Sequence, residues 1–234
     1  RAVVGTTYVQ VSREQAVEQG ILFFSQNLPA MMKQYVHYRA KELIIYCWRG
    51  GMRSRIIASF LDALGYRVFQ LVGGYKSYRS YVRESLNTFP LKAKVVVLYG
   101  LTCVGKTELL QHVPYCIDLE ELAQHRGSQF GGIGLQPRSQ KHFENLLLHE
   151  LERLRDAPYI VVEGESKRIG DVHIPLFLYD AMLSGEKILV QRSFEGRVQY
   201  SVDRYLATDE QRRAFREILF TLRKLLSTEH KQHI

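Results

Sequence analysis

The chain has 234 residues, 46% hydrophobic and 24% charged, an ordinary balance for a soluble globular protein with a real core in one large or two small domains. Its 32 Lys+Arg against 24 Asp+Glu leave a net charge of +8, which points to a polyanionic partner such as RNA or to phosphorylated ligands. Three cysteines, Cys47, Cys103 and Cys116, with no CxxC and no short spacing, argue against a disulfide framework or a zinc site and favour a reducing, cytoplasmic setting. No apolar run approaches the length of a membrane span, and no signal peptide is read at the start, so no membrane partner is expected. The chain opens at Arg1 without an initiator Met, as a fragment would.

The first forty residues carry the weakest signals. Ser12, with Gln15 three residues on, marks a helix start, and Gly20 a stop. Residues 21–41 read as partly helical, interrupted near Pro29, with Phe23, Phe24, Met31, Met32 and Tyr35 as core or interface side chains. Leu43 to Tyr46 then reads as a buried strand, Arg55 to Gly65 as a helix and Arg67 to Val72 as a second strand, which together make a parallel βαβ unit. Cys47 falls where the first strand stops, on a loop bearing Arg49, Gly50, Gly51, Arg53 and Ser54. Loop N–H groups, a helix N-terminus and the two arginines would favour a thiolate and cradle an anion. A core cysteine at a strand end is the bland alternative. After a turn at Gly73-Gly74, residues 75–86 read as a helix with Lys76, Arg79 and Arg83 on its polar face, either solvated or touching RNA.

Pro90 marks the expected domain boundary, dividing the chain into 1–90 and 91–234. The pattern restarts with the strand Val95 to Tyr99, which runs into Gly100-Leu101-Thr102-Cys103-Val104-Gly105-Lys106-Thr107. This is the G-x-x-x-x-G-K-[ST] pattern in its required context, a strand before and a helix after. Gly100, Thr102 and Gly105 lie on the phosphate-wrapping backbone, Lys106 reaches terminal oxygens and Thr107 is a candidate Mg²⁺ ligand. Cys103 is unusual at a position where many such loops carry Gly. Asp118 ends the short strand Tyr115 to Asp118, and Glu163 ends the strand Tyr159 to Glu163. Both are candidate Mg²⁺ ligands; Glu163 could equally be a cap or an ion-pair partner. The Gly-rich stretch 125–134 reads as a mobile loop over a site. A helix over residues 139–155, another entered through Pro175, a strand at 187–192 and a helix at 194–206 follow. A last helix, capped by Asp209 and running to about Thr228, carries Arg212, Arg213, Arg216, Arg223 and Lys224.

By their own chemistry these motifs join a reactive cysteine on an anion-binding loop to a phosphate-binding domain. Three functions compete: a transferase moving a chalcogen from Cys47, a phosphatase of the C-x5-R-[ST] type built on Cys47, Arg53 and Ser54, and an RNA-binding module without catalysis.

Tyr46 to Ser54, Gly73 to Arg79, the loop 100–107, Asp118-Leu119-Glu120, His125 to Ser128 and Gln136-Pro137 resemble, in that order, the bacterial tRNA 2-selenouridine synthase family. The resemblance covers most of the chain from about residue 40. It implies an α/β architecture in which a rhodanese-like parallel-sheet domain precedes a P-loop NTPase-like domain. It further implies replacement of sulfur by selenium in the wobble 2-thiouridine of tRNA, with selenophosphate as donor, through an S-geranyl intermediate formed from geranyl diphosphate. No tightly bound cofactor is implied, with selenophosphate and geranyl diphosphate as co-substrates beside the candidate Mg²⁺; a selenophosphate-supplying enzyme is an implied partner. Cys47 becomes the family's essential cysteine, a carrier of selenium as a perselenide, on a loop one residue longer than the usual rhodanese loop and so suited to a larger tetrahedral anion. The loop 100–107 becomes the seat of a diphosphate, and Lys76, Arg79, Arg83, Arg126, Arg212 and Arg216 become candidate tRNA contacts. The family's first domain begins earlier, with a strand and a D-x-R-type segment, and its chains run past Ile234; an incomplete first sheet is therefore expected here.

Overall fold

The computed structural model describes residues 2–222. They form two compact units, one to Tyr78 and one from Arg79, and both are α/β with parallel sheets. The predicted continuation of the last helix beyond Leu222, with Arg223 and Lys224, lies outside the described residues. Among the described residues no helix is long and apolar enough to cross a membrane.

The first unit opens with α1 (Ala2–Gln10) and α2 (Arg13–Tyr35). Ser12 caps α2 as read, its side chain accepting from the Gln15 N–H. The helix neither stops at Gly20 nor breaks at Pro29. Glycine weakens a helix by only about 1 kcal/mol and proline by about 3, and the 23-residue helix runs on through both, in contact with α1 and with Ala16 buried. Phe24 meets Phe60 edge to face at 6.0 Å. β1 (Glu42–Ile45), α3 (Met52–Ala63) and β2 (Arg67–Gln70) then make the expected parallel βαβ unit, with Glu42 opposite Arg67 and Ile44 opposite Phe69. β1 is not the buried strand its apolar run suggested. Its sheet has two strands among the described residues, so Ile44 and Phe69 share one face and stay 65% and 57% exposed. The buried centre lies elsewhere, at Ala16, Leu61 and Tyr66.

The division between the units falls inside α4 (Gly74–Asn87), ahead of Pro90. The reason is visible in the helix's second half, where Val82 and Leu86, followed by Phe89, belong to the second unit's core. In that unit β3 (Lys94–Tyr99), β4 (Cys116–Ile117), β5 (Tyr159–Glu163) and β8 (Glu186–Leu189) form a wholly parallel sheet in the order β4-β5-β3-β8. α5 (Lys106–Leu110), α6 (Leu119–Ala123), α7 (Gln140–Arg153) and α8 (Leu176–Ser184) connect its strands. Alternation along β3 divides the core. Val95 and Val97 pack with Phe143, Leu147 and Leu151 of α7 and Leu178 of α8, whereas Leu98 packs with Leu110 of α5. An unpredicted antiparallel ribbon, β6 (Arg168–Ile169) with β7 (Val172–His173), turns at Gly170-Asp171, with Gly170 at φ +55°. α9 (Phe194–Tyr205) and α10 (Asp209–Leu222) close the described chain.

Arg79 does not face solvent as its helix pattern suggested. It is 7% exposed, ion-paired with Glu144, and donates to Asn145 Oδ1 and to the Lys141 carbonyl at 3.2 Å. Three acceptors on α7 hold it, so it is a packing residue of the second unit. Removing one member of such a buried pair leaves the other charge uncompensated, at about 3–5 kcal/mol. Arg79→Ala should therefore lower the urea midpoint markedly, whereas Arg83→Ala, exposed one turn on, should shift stability by less than about 0.5 kcal/mol. Equal midpoints would refute this assignment.

Candidate active sites

Cys47 lies two residues past β1, on a loop fixed from behind by the start of α4. The N–H groups of Tyr75 and Lys76, which a helix leaves unpaired in its first turn, donate to the Cys47 and Trp48 carbonyls at 2.9 Å each. The two backbones approach so closely that no side chain fits between them. A Cβ on Gly50 (φ +65°) would come within 2.7 Å of Gly74 N, and one on Gly74 (φ +62°) would overlap the Cys47 carbonyl and Gly50 N. Gly73-Gly74 is thus part of the site rather than a simple turn.

Ser54 Oγ sits 3.3 Å from Cys47 Sγ and 3.1 Å from the Gly51 carbonyl. Gln70 Nε2, at the end of β2, donates to Ser54 Oγ at 3.1 Å and to the Gly50 carbonyl at 2.7 Å, which orients the hydroxyl. Cys47 is lowered from 9.0 to about 6. Burial, the largest influence, opposes this. It is outweighed by the Ser54 hydroxyl and the backbone N–H groups of Ser54, Arg49 and Gly51. The thiolate is therefore the ordinary state at neutral pH. Arg53 lines the same cleft, of about 650 Å³, while the Arg49 side chain is exposed.

The second site forms where β3 ends. Gly100, Thr102, Cys103, Gly105, Lys106 and Thr107 line one cavity of about 240 Å³. Lys106 Nζ contacts the Gly100 carbonyl at 3.2 Å. Cys103 takes a left-handed φ of +67°, which explains why glycine suits that position, and Ser201 Oγ lies 2.9 Å from its sulfur. Arg126 borders this cavity, with its Nη1 on the Ile133 carbonyl at 2.9 Å and its guanidinium 5.1 Å from the Tyr205 ring centre. The Gly-rich stretch 125–134 does border the site, but Ile133 within it is a core residue, 4% exposed.

Strand register brings Glu163 to this loop, since it pairs with Leu98 just before Gly100. Glu163 is fully buried, and among the described residues neither of its oxygens accepts a hydrogen bond of ordinary geometry, although the Thr107 hydroxyl is near enough to favour its charged form. Carboxylate oxygens of Glu120, Glu163 and Glu165 lie within 4.8 Å of one another. Burial first, then the neighbouring negative charges, raise Glu163 to about 7 and Glu120 to about 9; Thr107 and Lys106 draw Glu163 the other way. Asp118 caps α6, accepting from the Glu121 N–H at 2.7 Å, and its charge also bears on Glu163. A cation beside Thr107 would thus draw its carboxylates from Glu163, Glu120 and Glu165, with Asp118 behind them as the helix cap.

Glu120 and Glu165 were missed as a pair, although both stand in short acidic segments after strands. Arg204 and Tyr200 were missed as well: both line the phosphate-loop cavity, with Arg204 Nη1 donating to the Tyr200 hydroxyl at 2.8 Å. Lys76, Arg83 and Arg216 are exposed, whereas Arg212 is tied to Asp209 at 2.7 Å and to the Leu206 carbonyl.

Fold and sites together define an α/β protein with a thiolate-bearing loop in one unit and a lysine phosphate loop in the other. Comparisons with known proteins give its family. The family description "tRNA 2-selenouridine synthase AAA domain" matches residues 93–221. The chain is similar to the tRNA 2-selenouridine synthase of Pseudomonas savastanoi pv. phaseolicola, at 34% identity over 88% of this chain and 58% of that protein. The corresponding figures are 34%, 89% and 56% for that of Nitrosomonas europaea, and 35%, 91% and 58% for that of Hahella chejuensis. The chain belongs to the tRNA 2-selenouridine synthase family, and spans somewhat more than half the length of these relatives.

Two measurements check the electrostatics. Alkylation of Cys47 by iodoacetamide should follow a titration centred near pH 6, and Ser54→Ala should move that midpoint upward; a midpoint near 8.5 in the unsubstituted chain would contradict the hydrogen-bonded thiolate. Glu163 holds a proton in the folded chain that the unfolded chain releases above pH 4.5. Its stabilising contribution is complete below 4.5 and is lost as pH rises through about 7. Glu163→Gln should therefore raise the thermal midpoint at pH 8 relative to the parent, with the gain shrinking toward pH 5; a gain independent of pH would contradict the shift.

Proposed function

We propose that this chain acts in replacing the 2-sulfur of a tRNA wobble uridine with selenium, as a cytoplasmic transferase. The supporting observation is that the chain carries two loops suited to anions with different chemistry: the first presents the Cys47 thiolate as a nucleophile, and the second presents Lys106 as a cation. The first unit, on this reading, is a rhodanese-like domain whose N–H groups, Arg53 and Ser54 hold selenophosphate against Cys47. The second holds the diphosphate of geranyl diphosphate. Its cavity, about 240 Å³, is bordered by Lys106, Arg126 and the loop backbone, groups suited to a diphosphate. Lys106, Arg126 and the loop amides would oppose the charge that grows on the leaving diphosphate.

The buried carboxylate of Glu163, with Glu120, Glu165 and the Thr107 hydroxyl, fits a hard cation such as Mg²⁺. When bound there, Mg²⁺ supplies further charge compensation to the diphosphate. Lys76, Arg83, Arg126 and Arg216 are the proposed tRNA contacts, and an enzyme that makes selenophosphate is the proposed supplier. The C-x5-R-S spacing together with the Ser54 hydroxyl on Cys47 Sγ favours a second reading, a cysteine-dependent phosphatase; rapid turnover of an aryl phosphate by the purified chain would support it.

The test separates the two steps. Lys106→Ala should lose geranylation by about 100-fold or more, the scale of one electrostatic donor, while still placing selenium on tRNA that already carries the geranylthio group. Cys47→Ser should do the reverse and accumulate geranylated tRNA. Nucleoside mass spectrometry of both variants on both substrates reads the outcome. If both substitutions block both steps equally, the division of labour is wrong.

A further inference from the structure

The cleft at Cys47 has a feature that anion handling does not use. Its wall is aromatic: Tyr35, Tyr46, Trp48 and Tyr75 line it with Ile45, Ile57 and Arg53. The Tyr46 and Tyr75 rings are nearly parallel, 25° apart in tilt with centroids 6.2 Å apart, and Trp48 lies 5.7 Å from Tyr75. These rings are not the unit's core. Tyr46 is 58% and Trp48 40% exposed, while the unit's buried hydrophobic residues are Ala16, Leu61 and Tyr66. Tyr46, Trp48 and Tyr75 line the same cleft as Cys47, so a planar group lying on the rings shares that cleft with the sulfur. Tyr75 donates its backbone N–H to the Cys47 carbonyl, which ties the aromatic wall to the nucleophile's loop.

We infer that Tyr46, Trp48 and Tyr75 form a stacking platform that receives the target nucleobase, flipped out of a single-stranded RNA loop, and holds its 2-position toward Cys47. Single-stranded RNA is read in this way elsewhere, by splayed bases stacked on aromatic faces beside a cation for the backbone. Arg53 occupies that cationic place in the cleft. The volume, about 650 Å³, admits a nucleoside with a bulky 2-substituent. The inference rests on the proposed tRNA substrate, and it assigns the base to the first unit.

Trp48 is the chain's one tryptophan, so its emission reports this cleft alone. The experiment titrates an anticodon-loop RNA carrying 2-thiouridine, and the same RNA abasic at that position, while an end label follows total binding by anisotropy. The 2-thiouridine RNA should quench Trp48 saturably. The abasic RNA should bind about 5- to 100-fold more weakly, the range of one stacked base, and leave the emission unchanged. Tyr75→Ala should abolish the difference between the two RNAs, Tyr75→Phe should keep it, and Tyr75→Leu, which fills space without a π-face, should not restore it. RNA binding with a silent Trp48, equal affinities for the two RNAs, or a Tyr75→Leu variant as good as Tyr75→Phe would each overturn the inference. So would the same quench produced by geranyl diphosphate alone, which would make the cleft an isoprenoid site. If selenium enters the RNA while Trp48 stays silent, the platform falls and the proposed function stands. If Trp48 responds and no selenium enters, the proposed function falls and the base site stands.

Discussion

The Cys47 site depends on a contact between two stretches of backbone with nothing between them. Gly50 on the cysteine loop and Gly74 at the start of α4 approach until either Cβ would collide with main-chain atoms of the other. Only at that distance can the Tyr75 and Lys76 amides reach the Cys47 and Trp48 carbonyls. With the loop carbonyls held from behind, the Arg49, Gly51 and Ser54 amides turn toward the sulfur, and these, with the Ser54 hydroxyl, keep it ionised against burial. Gln70 completes the arrangement from the end of β2. A strand end, a loop and two helix starts are therefore coupled through one close approach, and a side chain at either glycine would separate them.

The second unit solves the opposite problem. Here the backbone cradle carries a lysine, and negative charge is stored beneath it. Glu163 is carried by β5 into a fully buried position next to the strand that feeds the phosphate loop, and Glu120 and Glu165 converge on it. Three carboxylates this close do not all ionise at neutral pH, so the cluster holds protons that a cation can displace. The arrangement sits beside Lys106 and Thr107, which draw Glu163 toward its charged form.

Much of this was legible in the sequence because it is local. The phosphate loop announces itself by spacing, the βαβ unit by its alternation of apolar runs, and Glu163 by its place at a strand end. What was not legible depends on partners distant in the chain. Arg79 reads as a basic surface residue on its own helix, and only α7, some sixty positions on, turns it into a buried ion pair. Glu120 and Glu165 look like ordinary acids until β4 and β5 lie side by side and bring them together. The β6–β7 ribbon had its signal in Gly170-Asp171, a two-residue hairpin turn, but strands of two residues carry too little alternation to be read. The strand at Leu43 to Tyr46 misled in the other direction. An apolar run predicts burial only when a neighbouring layer covers it, and among the described residues Ile44 and Phe69 lack that cover.

The central claim is that the two cradles serve successive steps on one base, the Lys106 loop first and Cys47 second. Mass spectrometry of tRNA nucleosides after incubation with 2-thiouridine tRNA, geranyl diphosphate and selenophosphate, each co-substrate omitted in turn, tests it most directly. The account expects the geranylthio nucleoside to accumulate when selenophosphate is left out, and unreacted 2-thiouridine to remain when geranyl diphosphate is left out. Selenouridine formed at the full rate without geranyl diphosphate would contradict it.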